Sequence, residues 1–266
     1  MKILIIGGGN MGLTYAQSFL RSHITTKNGM MILTRSEERA LALTPRDIGR
    51  VFCRAEDCIP QSDIVILAVK PQDAPALFEQ IRPFAEQQQV FLSIMAGVRM
   101  DTIRQALGVT KVVRAMPNLP AQTGSGMTAY TAADEVTRIE LVMIQNLLST
   151  TGKAIYVEKE SAIDAATAIS GSGPAYVYYF MQSMTEAARQ LGFSESEAEI
   201  LVAQTFSGAL DLYNSSNFSC NDWIKKVASK GGTTEAALRS FGDNDLQKHI
   251  AEGAKAAFSR AVELGK

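Results

Sequence analysis

The sequence predicts an α/β protein in two parts, a doubly wound parallel sheet followed by an all-α C-terminal region. Three observations carry that expectation. Short runs that are apolar on both faces alternate with helical patterns through residues 1–159, as strands of a sheet covered on both sides should. Beyond residue 159 no further strand signal occurs. At the head of the first part an apolar strand, a glycine turn and a helix start stand together in residues 2–12.

Taken in order, the strand signals are Ile3–Ile6, Met31–Thr34, Val51–Cys53, Ile64–Val69, Val90–Ile94, Val112–Ala115, Met127–Thr131 and Ala154–Val157. Helical signals between them include Ser36–Leu43, Pro75–Ile81 and Asp134–Leu148. Pro75 suits a first helical turn, and Asp134 a cap or first-turn acid. In the second part, Ser161–Leu191 is alanine-rich and apolar on more than one face, which predicts a buried helix. Its cover comes either from a partner subunit or from other helices of the same chain. Further helices are expected at Glu195–Tyr213, near Trp223–Val227, at Glu235–Ser240 and at Asp245–Leu264, with Asn214–Ser219 a polar loop. The division into domains is therefore 1–159 and 160–266.

Composition bounds the function. With 266 residues, 46% of them hydrophobic, the chain can build one large core or two small ones. A net charge of −1 gives no field that favours nucleic acid or an acidic membrane. No apolar run reaches membrane-spanning length, and the first strand lacks the form of a signal peptide. Cys53, Cys58 and Cys220 form neither a closed disulfide set nor a zinc spacing, so no metal is expected and a soluble cytoplasmic protein is. His23 and His249 are the two histidines, and neither lies near a motif. That argues against mechanisms that need a catalytic histidine.

The glycine turn has the spacing Gly7-x-Gly9-x-x-Gly12, the pattern of dinucleotide-binding Rossmann-type folds. Gly7 permits the tight turn. Gly9 lets backbone N–H groups approach a pyrophosphate, and Gly12 lets the helix pack close to the strand. The helix start at Asn10 and Met11 points its positive end at the phosphates. The competing reading is a purely structural βα turn. At the end of the second strand, where NAD-binding folds place an acid on the ribose 2′-hydroxyl, the chain has Arg35 and Ser36. Arg35 can stack on adenine and neutralise a 2′-phosphate, and Ser36 can donate a hydroxyl to it. NADP is therefore the expected cofactor, with NAD the alternative. Glu37 and Glu38 soften the preference, and the plainer reading is a solvated charge beside a helix cap.

Later stretches place special residues at strand ends, where ligands of open α/β sheets sit. Ala68, Val69, Lys70 and Pro71 end the fourth strand, and Met95, Ala96 and Gly97 follow the fifth. Ala96 and Gly97 are small enough for close backbone approach. Pro117 and Pro120 stiffen the loop after the sixth strand, where Asn118 is a candidate for ordering the nicotinamide side. Ser170-Gly171-Ser172-Gly173-Pro174 interrupts the buried helix, at several kcal/mol in helix propensity. The interruption marks a kink, a close ligand approach or a simple boundary between helices. Gly231-Gly232-Thr233-Thr234 precedes another helix and leaves backbone N–H groups for a carboxylate, the alternative being a plain N-cap.

Together Ala68–Gln72, Met116–Ala121, Ser170–Tyr176 and Gly231–Thr234, in this order, resemble pyrroline-5-carboxylate reductases over essentially the whole chain. The resemblance implies reduction of a cyclic imine carboxylate to L-proline by NADPH or NADH. It implies an all-α C-terminal dimerisation domain that interlocks two subunits, with dimers assembling into larger rings in many relatives. It also places Gly231, Gly232, Thr233 and Ser172 around the substrate, with Thr234 beside the ring nitrogen as the catalytic residue. Two departures stand out: Lys230 replaces a common proline, and Leu119 stands where threonine is usual. An imine accepts hydride readily once protonated, so the protein's part is proximity and alignment. The rivals are a β-hydroxyacid dehydrogenase-like oxidoreductase and a non-catalytic NADP-binding regulator. Ser170–Met181 contains no lysine, which counts against the first, and the intact Gly-Gly-Thr-Thr segment counts against the second.

Overall fold

The computed structural model describes residues 1–265. They form two compact units. One comprises Met1–Ser172 together with the stretch from Ala257, and the other is Gly173–Ala256.

The first unit runs β1 (Ile3–Ile6), α1 (Asn10–Arg21), β2 (Met30–Leu33), α2 (Glu37–Leu43), β3 (Arg50–Phe52), β4 (Ile64–Leu67), α3 (Ala74–Ile81), β5 (Val90–Ser93), α4 (Met100–Leu107), β6 (Val112–Met116), β7 (Gly126–Ala132), α5 (Arg138–Ser149), β8 (Gly152–Tyr156) and α6 (Ser161–Ala166). The sheet order is β3-β2-β1-β4-β5-β6-β7-β8. β1 is central, with Ile3 in register with Met30 of β2 and Ile64 of β4. Because successive strand residues point to opposite faces, Ile3 and Ile5 pack under Tyr15 and Phe19 of α1 and Leu147 of α5. Leu4 and Ile6 pack on the other face with Phe78 and Ile81 of α3 and Ile103 of α4. Every residue of β1, β2, β4 and β5 is buried, as the two-sided cover requires.

The structure corrects the expectation in three places. β7 runs antiparallel to β6. The link from Met116 to Gly126 is shorter than the crossover of about a dozen residues that parallel pairing needs. β8 is an edge strand, and its Ile155 and Tyr156 are about half exposed. The helix expected from Asp134 begins at Arg138, because Thr137 and Glu140 close a reciprocal capping box one turn later.

The compact units divide further along the chain than the change of pattern at 159/160. α6 stays with the sheet because Asp164 pairs with the buried Arg114 of β6. A five-residue π-helical turn, Thr167–Gly171, follows it, closed by the Ser172 amide donating to the Thr167 carbonyl at 2.9 Å. The second unit contains α7 (Gly173–Gln190), α8 (Glu195–Asn214), α9 (Cys220–Val227), α10 (Thr233–Asp243) and most of α11 (Leu246–Glu263), whose last two turns belong to the first unit. α7 and α8 lie side by side. α7, α9 and α10 bury no residue in the single chain, and α8 buries only Ala198 and Val202. No helix among the described residues is long and apolar enough to cross a membrane.

Candidate functional site

β1 delivers the chain to Gly7, whose φ of +116° lies in the region that glycine adopts without strain. A Cβ there would stand 2.6 Å from the Ala68 carbonyl oxygen. At Gly12 a Cβ would stand 2.1 Å from the Gly7 carbonyl oxygen, so α1 can lie this close to the turn only with glycine. Gly9 faces open space. Gly7 and Gly12 thus make the tight turn and the close helix packing expected of them. Gly9 is the N-cap of α1, with no side chain capping it and no acid in the first turn. The first amides of α1 are left available to an anion.

A cavity of about 620 Å³ opens along the carboxyl ends of β1, β2 and β4. Gly7, Gly9, Arg35, Ser36, Ala68, Val69 and Lys70 line it, as expected, and Arg39, Glu38 and Asp73 join them. Ser36 caps α2, its hydroxyl accepting from the Arg39 amide at 3.3 Å. That bond uses a lone pair and leaves the O–H free to donate. The cap and the phosphate ligand are therefore compatible roles for one side chain. Arg39 was not singled out in the sequence. It lies one helical turn beyond Ser36, and its Nη2 donates to the Gly8 carbonyl at 3.1 Å. The guanidinium braces the glycine loop and keeps further N–H donors for a ligand. Residues with open backbone, converging N–H groups and three cations fit a phosphorylated dinucleotide.

Other expected cofactor residues stand apart from this cavity. Asn10, Met11 and Pro71 are not in its lining. Met95 is 2% exposed and packs in the core on the α3–α4 face, so its side chain cannot meet a ligand. At Gly97 the close approach is real, but the neighbour is the chain itself. A Cβ there would stand 2.8 Å from the Leu264 carbonyl carbon. Asn118 has both ends of its amide engaged. Oδ1 accepts from the Met127 amide at 2.9 Å, and Nδ2 donates to the Ser170 carbonyl and hydroxyl at 3.2 and 3.4 Å. It ties the loop after β6 to the π-helical turn. Gly171 lets that turn approach Met116 of β6, whose Cε would meet a Cβ at 2.7 Å. Burial pushes the Cys58 thiol up to about 12, which removes it as a nucleophile.

In the second unit, Gly231 has a φ of +74°, and its amide donates to Glu235 Oε2 at 2.5 Å. The Gly232 amide donates to the Ser229 carbonyl at 3.0 Å. This corrects the expectation that the Gly232 N–H awaits a carboxylate, because the turn consumes it. The amides of Thr233 and Thr234 open α10 and have no intrahelical acceptor. Thr233 is exposed and Thr234 half-buried.

A Rossmann-type unit with a basic pocket at the end of β2, followed by a helical unit, defines an NADP-binding oxidoreductase. Comparison with known proteins narrows this. Residues 2–97 match the family described as NADP oxidoreductase, coenzyme F420-dependent, and residues 160–264 match pyrroline-5-carboxylate reductase dimerisation. Pyrroline-5-carboxylate reductase 2 of Bacillus subtilis is 34% identical over 99% of this chain and 95% of its own. Pyrroline-5-carboxylate reductase of Pseudomonas aeruginosa is 34% identical over 100% and 97%. The solved pyrroline-5-carboxylate reductase of Coxiella burnetii superposes with a TM-score of 0.91 at 30% identity, covering 100% and 98% of the two chains. That of Plasmodium falciparum, with NADP bound, gives 0.88 at 26%, also covering 100% and 98%. The chain belongs to the pyrroline-5-carboxylate reductase family. Membership favours the imine-reductase reading over the dehydrogenase and the regulator.

Proposed function

We propose that the protein reduces 1-pyrroline-5-carboxylate to L-proline with NADPH, the last step of proline biosynthesis, and that it works as a cytoplasmic homodimer. The observation that carries this reading is family membership along the whole chain, joined to a cleft whose β2 end presents cations and no acid in the position that NAD-specific folds reserve for one.

NADPH, when bound, supplies the hydride. The residues of this chain bind and align. The open amides at Gly9 and the start of α1 take the pyrophosphate, and Arg35, Ser36 and Arg39 take the adenosine 2′-phosphate. Asn118 acts as a brace between the β6–β7 loop and the π-helical turn that presents Ser172. The amides of Thr233 and Thr234 bind the substrate carboxylate, and the Thr234 hydroxyl orients the ring nitrogen. No strong general acid is needed, because the imine is protonated readily and is then a good hydride acceptor. This fits a chain whose two histidines lie far from every motif.

The homodimer is supported by the matched dimerisation family and by the helical unit's unpartnered apolar surface. Tyr178, Tyr179, Ile200 and Val227 are each more than half exposed in the single chain. Sedimentation of the purified protein tests this, and also reports any ring of dimers. Replacing Thr234 by valine tests the chemistry. Loss of one hydrogen bond worth about 1.4 kcal/mol lowers kcat/KM about tenfold. Unchanged kcat/KM would remove the hydroxyl from the mechanism.

A further inference from the structure

β5 lies beside β4 in the sheet, and the Ile94 amide donates to the Leu67 carbonyl at 3.1 Å. The loop after β5 therefore leaves the sheet one strand along from Ala68–Lys70, at the same carboxyl edge as the cofactor cleft. With the 2′-phosphate cations at the β2 end, a dinucleotide crossing the glycine turn directs its nicotinamide toward this loop. Within it the Met95 and Val98 side chains are buried in the core on the α3–α4 face, which anchors the segments on either side of Ala96 and Gly97. At its far end the Met100 amide donates to Glu160 Oε1 at 2.8 Å. At its middle, Gly97 has a φ of +78° and meets Leu264 and Gly265, just after α11.

That meeting is backbone against backbone from both sides. A Cβ on Gly97 would stand 2.8 Å from both the carbonyl carbon and the Cβ of Leu264, and a Cβ on Gly265 would stand 2.5 Å from the Gly97 carbonyl oxygen. Neither position has room for a side chain. The Leu264 side is itself held in shape. The Leu264 amide donates to the Arg260 carbonyl at 3.1 Å and the Gly265 amide to Val262 at 3.2 Å, while Ala261 is the one residue of α11 that is buried. A contact made only by backbone atoms and a Cβ has no rotamers to adjust, so it gives the Gly97 segment of the loop a rigid stop.

We propose that Leu264–Gly265 is a positioning element for hydride transfer: through its contact with Gly97 it fixes the loop after β5 at the nicotinamide end of the cleft. The proposal rests on the assignment of that end given above. The adenosine and pyrophosphate contacts lie elsewhere, so disturbing this contact alters alignment and spares affinity.

The test uses full-length Gly97→Ala, Gly265→Ala and the double variant, with Gly108→Ala as control. Gly108 shares the left-handed backbone (φ +71°) but a Cβ there meets nothing within 4 Å, so it reports backbone strain alone. The expected result is a fall in kcat of about tenfold in each single variant, as small misplacements of reacting groups produce. The NADPH Kd from fluorescence stays at the wild-type value. The double variant is no slower than the slower single one, because both act through one contact. Gly108→Ala lowers Tm and leaves kcat unchanged. The proposal is overturned if Gly265→Ala keeps wild-type kcat, if the two single effects multiply in the double variant, or if Kd rises while kcat holds. The underlying cleft assignment fails separately, if Gly12→Ala binds NADPH as tightly as the wild type does.

Discussion

Arg114 Nη2 and Asp164 Oδ1, fifty residues apart in sequence, meet at 2.5 Å in the interior of the first unit. Arg114 is 1% exposed on β6, and its Nη1 also pairs with Glu160 at 3.1 Å. Glu160 in turn accepts from the Met100 amide at the start of α4. One guanidinium thus links β6, α4 and the segment 160–164, the point where the sheet gives way to helices. It also holds the far end of the loop that carries Gly97.

Breaking a buried ion pair costs more than the pair contributes, because the remaining charge is stranded in low dielectric. Asp164→Ala is accordingly expected to destabilise the protein by about 3 kcal/mol. Chemical denaturation of the two proteins side by side measures it. A loss no larger than that of an exposed substitution would mean that Glu160 alone satisfies the guanidinium.

Arg35 and Arg39 frame the end of the cleft where a 2′-phosphate would lie. A charge-assisted hydrogen bond to that phosphate is worth about 1.5–3 kcal/mol. Arg35→Ala is expected to raise KM for NADPH by at least about tenfold while leaving KM for NADH close to its starting value. Arg39→Ala is expected to weaken both, NADPH more than NADH, since Arg39 contacts the 2′-phosphate and its bond to the Gly8 carbonyl also braces the loop that holds either cofactor. Steady-state kinetics with the two dinucleotides separates these outcomes. Equal losses in both variants would place the 2′-phosphate elsewhere.

Glu140 joins α5 to Lys111, at the start of β6, at 2.7 Å. Burial works against its charge. The Lys111 ammonium and the Thr137 amide and hydroxyl outweigh that, and together they hold the carboxyl below the usual glutamate range. A carboxylate whose folded pKa is depressed adds stability above its unfolded pKa and loses it as pH falls through the folded value. Wild type is therefore expected to exceed Glu140→Gln in Tm at neutral pH. The two curves should converge as pH drops below the ordinary glutamate range. A constant gap down to strongly acid pH would show that the ion pair is not its source.

Much of this architecture was legible in the chain. All eight strands fall within two residues of their apolar runs, and for β1, β2, β4 and β5 the reason is that a strand buried on both faces has little freedom of composition. Gly7 and Gly12 were legible because each position excludes a side chain, whereas at Gly9 a Cβ would meet nothing and only the spacing marked it. What was less legible depends on partners distant in sequence. Nothing around Gly97 reveals that Leu264 will lie on it, so its small size read as room for a ligand. Arg114, inside Val112-Val113-Arg114-Ala115, reads as a strand with an odd charge until Glu160 and Asp164 arrive from another element. Gly232 looked free because a turn amide and a waiting amide have the same sequence. The start of α5 was readable, since Thr137 and Glu140 have capping-box spacing, but Asp134 offered a competing cap.

Hydride transfer itself tests the account most directly. NADPH oxidation should be followed by nicotinamide absorbance with 1-pyrroline-5-carboxylate as acceptor, and again with NADH. Saturable oxidation with one L-proline formed per NADPH consumed is expected, together with a preference for NADPH that Arg35→Ala abolishes. Tight NADPH binding with no turnover of this imine would contradict it.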